Sequence, residues 1–187
     1  MPVGTPELPG VSLRTYDPVL APARAAIDST HLADGTTIDA LNSIRFTDEG
    51  AAAAAEALRA GVTGDALWAA TWIYGASGTD PEVLKPLLSS ADVTVQAMAA
   101  VTLLAWGERE AAPVLGQLLS ESGSIRGSEP PVSISGFTAG ALDRFVEGPE
   151  IATNASPEER GAAWSSWLAA NHASMEYDAD TARWHAP

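Results

Sequence analysis

Val83-Leu84-Lys85-Pro86-Leu87-Leu88-Ser89 returns 31 residues later as Val114-Leu115-Gly116-Gln117-Leu118-Leu119-Ser120. A second echo lies upstream, at a shift of 30: Ala69-Ala70 with Ile73-Tyr74 matches Ala99-Ala100 with Leu103-Leu104. A fixed period of about 30 residues marks stacked supersecondary units, each too small to bury its own apolar face. The spacing inside each copy is helical, because apolar residues at i, i+1, i+4 and i+5 fall on one side of an α-helix. The stretch predicts an all-α fold, an α-solenoid or superhelix of about four stacked helix pairs.

Working outward, Asp65 to Ala76 is apolar on almost every side, as expected of a helix buried by neighbours on both flanks. Gly78 ends it. Thr79-Asp80-Pro81-Glu82 has capping residues and a proline, and predicts a helix presenting Val83, Leu84, Leu87 and Leu88 inward, bent at Pro86. Asp92 is read as the cap of the next helix, which Gly107 stops after Trp106. Glu110 to Glu121 carries the repeated face. Residues 122–135 are rich in breakers and read as a loop insertion, after which Thr138, Ala139, Ala141, Leu142 and Phe145 resume the pattern.

Toward the N-terminus, Thr37 to Arg45 and Asp48 to Ala60 read as a helix pair closed by Gly61 as the C′ residue. Asp17-Pro18 reads as the start of a helix to about Asp28, and residues 1–16 as an extended arm. Toward the C-terminus, Ser156-Pro157-Glu158-Glu159 is a full capping box. The organisation expected is an arm over 1–16 and one repeat domain over 17–187, with a capping segment over 157–187.

The helix pairs at 65–121 resemble the short HEAT-like repeats of bacterial proteins. The resemblance rests on Asp92 before a first helix, Ala99-Ala100 within it, Gly107 at its end, and Ala111 through Leu119 in the second helix. Trp164, Trp167, Asn171, Tyr177-Asp178 and Trp184 are similar to the terminal capping segments of such arrays. Two departures stand out: the period is shorter than the ~40–47 residues of broad-sense HEAT repeats, and Val95-Gln96 occupies the region where an arginine is often seen. The resemblance implies protein binding or scaffolding, in a non-catalytic role. Some relatives are bilin lyases, but no motif in this chain singles out that subset.

The chain has 187 residues, 46% of them hydrophobic and 18% charged, which suits a globular domain with a core. Its 36 alanines favour close-packed helices. One lysine against nine arginines, with abundant Ala, Gly, Pro and Trp, suggests a GC-rich bacterial genome. The net charge of −14 disfavours nucleic acid and anionic membrane surfaces. It fits either simple solubility or a basic protein partner. No apolar run is long enough to span a membrane. The absence of cysteine and of a basic-then-apolar leader points to the cytoplasm, with a mature periplasmic form also compatible.

The motifs of chemistry are missing. His31, His172 and His185 have no partner at metal-ligand spacing, and no nucleophile elbow, phosphate loop or dinucleotide fingerprint occurs. Asp178 and Asp180 form half of a calcium pattern, or a turn in the tail. Asn154-Ala155-Ser156 matches a glycosylation sequon, although Ser156 is better explained as a helix cap. The six tryptophans read as core and cap, with partner hot spots or the lining of a planar-ligand pocket as alternatives. No cofactor and no metal is expected. If second helices line a concave face, its outward positions are Glu82, Lys85, Pro86, Glu110, Gln117 and Glu121, flanked by the 122–135 loop. These are the expected partner-binding residues. An acidic inhibitor or immunity-type protein, a subunit of a larger assembly, and a bilin lyase-like protein are the alternatives.

Overall fold

A computed structural model describes residues 20–32 and 36–187. The expected arm over 1–16 and the Asp17-Pro18 helix start lie outside the described residues. What is described is predominantly helical, with one two-stranded sheet.

The helices are α1 (Ala21–Asp28), α2 (Thr36–Ile44), α3 (Asp48–Arg59), α4 (Gly64–Ser77), α5 (Val93–Ala105), α6 (Ala111–Leu118), α7 (Ile134–Phe145) and α8 (Pro157–Asn171). Strands β1 (Glu176–Asp178) and β2 (Arg183–His185) form an antiparallel hairpin that pairs Tyr177 with Trp184. Helix α4 packs between α3 and α5, α5 packs on α6 and α7, and α7 packs on α8.

The small-residue echoes lie at these contacts. Ala69, Ala70, Ile73, Ala99, Ala100, Leu103 and Leu104 are all fully enclosed, and Ala139 and Leu142 of α7 are buried as well. Alanine lets helix backbones approach closely, and each large aliphatic neighbour adds roughly 1.5–3 kcal/mol by leaving water. The two copies of the Val-Leu-x-x-Leu-Leu face also place Leu84 and Leu115 alike, both fully buried.

Those copies nevertheless differ in backbone. The helix expected after Asp80 is two 3₁₀ turns, Pro81–Val83 and Lys85–Ser89. Their hydrogen bonds run three residues back, from Leu84 N–H to Pro81 O and from Leu87 N–H to Leu84 O. Pro86 has no N–H, and its ring collides with a preceding α-helical turn, so the tighter winding replaces the expected bend. In α6 the single proline, Pro113, sits in the first turn, where no donor is needed.

The helix ends follow the predicted capping chemistry. Asp92 accepts from the N–H groups of Thr94 and Val95. Ser156 and Glu159 form a reciprocal capping box. Gly61 and Gly107 close α3 and α5 with φ of +74° and +86°. At Gly107 the bonds Gly107 N–H to Leu104 O and Glu108 N–H to Leu103 O complete a Schellman motif. A Cβ there would also stand 2.8 Å from the Tyr177 ring, so the position excludes side chains twice over.

Two segments are more ordered than their composition predicts. Within 122–135, Ser124 pairs with Ser133, Ile125 N–H donates to Val132 O, and Ile134 N–H donates to Gly123 O. The segment is thus a closed hairpin-like loop, and Arg126 pins it to the start of α4 through Asp65 and to the start of α5 through Asp92. The tail after α8 is the β-hairpin, whose Trp184 is buried and donates its indole N–H to Leu104 O at 2.8 Å. Tyr177 Oη donates to Ala105 O at 3.1 Å. Together they close the C-terminal end of α5.

Candidate functional site

A cleft of about 540 Å³ opens between α4, α5 and α7. Helix α4 contributes Trp68 and Trp72, α5 contributes Met98 and Val101, and α7 contributes Phe137 and Phe145. The end of α2 and the 122–135 loop close its sides.

The stack on the α4 wall is layered. Trp68 and Trp72 lie with ring centroids 5.4 Å apart and planes 20° from parallel. The Arg45 guanidinium sits 4.0 Å above the Trp72 ring and 5.1 Å from the Phe46 ring. Cation–π attraction of this kind favours a guanidinium held flat on an indole. Gly127 of the loop, at φ +79°, approaches Trp68 so closely that a Cβ would stand 2.9 Å from the indole.

The charge of the lining is the reverse of the whole chain. Three arginines, Arg45, Arg126 and Arg144, face the cleft, and no carboxylate does among the described residues. Arg126 is neutralised from behind by Asp65 and Asp92. Asp65 also accepts the Leu32 N–H, and Thr94 Oγ1 accepts the Arg126 N–H. Arg45 and Arg144 pair with no carboxylate among the described residues. The Nε of Arg45 and the indole N–H of Trp68 are enclosed without an acceptor among the described residues. Burial lowers the Arg45 pKa from its ordinary value, yet a guanidinium stays protonated through the physiological range.

The residues expected to bind a partner lie on another face. Lys85 Nζ is 2.7 Å from Glu82, 2.9 Å from Glu108 and 3.5 Å from Glu110. Three of the expected residues therefore meet at one ammonium, together with Glu108, which the sequence reading missed. Hydrogen bonds to Glu82 and then Glu108 push the Lys85 pKa above its ordinary value. Pro86, Gln117 and Glu121 are exposed nearby in the chain and make no part of this cluster. A shallower groove of about 690 Å³ runs from Glu108 and Glu110 to His172, Tyr177 and Trp184.

No family model, curated protein or solved structure matches this chain.

Other sequence candidates resolve locally. The Asp178 carboxylate accepts from Asp180 N–H at 2.9 Å and from Thr181 Oγ1 at 2.8 Å, which makes it the turn of the hairpin. His172 is the C-cap of α8, with Nδ1 2.9 Å from Leu168 O. Among the described residues, no three His, Asp or Glu side chains gather as a metal site, and no helix is long and apolar enough to cross a membrane. Of the tryptophans, Trp164 and Trp184 are core, and Trp68 and Trp72 form a cleft wall. The cleft arginines carried no sequence signal. Positions 45, 126 and 144 belong to three unrelated segments, and only folding brings them to one surface.

Proposed function

We propose that this chain is a non-catalytic binding module of the HEAT-like type, and that the cleft framed by α4, α5 and α7 is its binding site. The observation that carries the proposal is the lining itself: an apolar floor beneath two arginines without carboxylate partners among the described residues, in a chain of net charge −14. Its volume falls within the ~300–1,000 Å³ typical of small-ligand sites. The side-by-side packing of α4, α5 and α7 through equivalent small residues supports the solenoid reading. The walls offer apolar groups, hydroxyls and guanidinium groups, which position a ligand but do not exchange protons near neutral pH. The Lys85 cluster is the weaker candidate, because its carboxylates already share one ammonium.

The test is titration with N-phenyl-1-naphthylamine, a neutral probe that fluoresces in apolar surroundings. Val101→Trp and the milder Ala105→Leu both fill the cleft from α5. Binding is expected to saturate in the parent protein and to be lost in both variants, with the far-ultraviolet circular dichroism unchanged. Equal binding by parent and folded variants would remove the cleft from consideration.

A further inference from the structure

We propose that the cleft takes a small apolar molecule bearing a carboxylate, with Arg45 and Arg144 as the groups that read the anion. This rests on the cleft being the binding site and adds the chemistry of its occupant.

Three independent features converge on that chemistry. First, the cleft concentrates cations against the trend of the molecule. The chain has 24 acidic and 10 basic residues, yet this apolar cleft holds three arginines and, among the described residues, no acid. Second, the arginines are not equivalent. Arg126 is committed to Asp65 and Asp92 and holds the loop in place. Arg45 and Arg144 make no side-chain hydrogen bond or ion pair among the described residues, and each lies over an aromatic ring, Trp72 for one and Phe145 for the other. Arg45, half-buried with its guanidinium 4.0 Å over the Trp72 ring, is pre-organised for a carboxylate, because little side-chain entropy remains to be lost, while the exposed Arg144 adds positive charge. Third, two donors of cleft-lining residues, Arg45 Nε and Trp68 Nε1, are enclosed and lack acceptors among the described residues. An enclosed donor without a partner is costly, and buried polar groups are nearly always satisfied, so an acceptor that reached this wall would relieve that cost.

The apolar floor sets the rest of the ligand. Met98, Val101, Ile125 and Phe137 offer nothing to a polar body, while their burial by an apolar one is favourable. The tryptophan faces are already occupied, Trp72 by Arg45 and Trp68 by its neighbours Trp72 and Gly127. The body therefore lies along the α5 and α7 walls.

The probes are 1-naphthylacetate and 1-naphthylacetamide, which share a body and differ in the anion. Each is titrated by calorimetry at low and at 0.5 M salt. The acetate is expected to bind about tenfold tighter than the amide, a ratio that charge-assisted hydrogen bonds to guanidinium supply, and to weaken with salt. Arg45→Gln and Arg144→Gln are expected to weaken acetate binding more than amide binding, bringing the ratio toward one. Arg45→Lys guards against misfolding, since it keeps the charge, and is expected to retain part of the preference. Equal binding of acetate and amide would overturn the anion assignment and leave the cleft as a binding site. Binding of N-phenyl-1-naphthylamine with no binding of either naphthyl probe would also overturn the assignment. Loss of cleft dependence for all three probes would remove the underlying reading too.

Discussion

Asp92 has two jobs in the structure, and substitutions can separate them. Its carboxylate caps α5 by accepting from Thr94 N–H at 3.1 Å and Val95 N–H at 3.3 Å. Its other oxygen pairs with Arg126 and so fastens the 122–135 loop. Loss of an N-cap acceptor costs about 1 kcal/mol. The ion pair is worth less than a buried one, because its side chains are 34% and 29% exposed, and about 0.5–1 kcal/mol is appropriate. Asp92→Ala removes both and is expected to cost about 1.5–2 kcal/mol, or roughly 3–8 °C in Tm for a domain of this size. Asp92→Asn keeps a good cap and loses the charge, so it should cost about 0.5–1 kcal/mol. Arg126→Gln should resemble Asp92→Asn and add a further loss from Asp65. The assay is urea unfolding followed by circular dichroism, with the double variant Asp92→Asn/Arg126→Gln closing a cycle. The reasoning fails if asparagine is as harmful as alanine, because the cap would then contribute nothing. It also fails if the two single changes are strictly additive, because the pair would then not interact.

Two further outcomes follow from other parts of the fold. Trp184→Ala should cost about 3–5 kcal/mol, because it empties an enclosed aromatic site and leaves Leu104 O with the Gly107 N–H as its remaining donor; a loss below about 1 kcal/mol in urea unfolding would mean that the hairpin does not close the end of α5. Hydrogen bonds from the backbone and side chain of Ser156 hold the Glu159 carboxyl below its ordinary pKa. A depressed carboxylate contributes stability that is fully present above its unfolded pKa and is lost as pH falls through the folded one, so the loss should appear below about pH 4. Glu159→Gln should flatten that part of the stability profile, and an unchanged acid limb would show that the box is not formed in solution.

The helical class and the capped ends were legible because their signals are local. A Ser-Pro-Glu-Glu stretch makes a capping box wherever it stands, and a glycine at a helix end adopts positive φ for its own steric reasons. Alanine pairs at a period of about 30 announce helices that must stack, and Ala69, Ala70, Ala99 and Ala100 are all enclosed. Pro86 was legible as a disturbance but not in its form. Whether a proline bends an α-helix or yields 3₁₀ turns depends on the packing of Leu84 and on the tie from Gln96 Nε2 to Leu88 O, at 2.8 Å. The loop over 122–135 looked like an irregularity because breakers speak against regular structure without saying what holds a loop. Arg126 holds it, through carboxylates 61 and 34 residues away in sequence. The same holds for the candidate site. Sequence alone determined a helical chain with capped ends, small apolar residues for its core and a net charge of −14. Only the tertiary structure decided that Arg45, Arg126 and Arg144 share one apolar cleft, because their proximity is fixed by the packing of α4, α5 and α7 and not by any spacing along the chain.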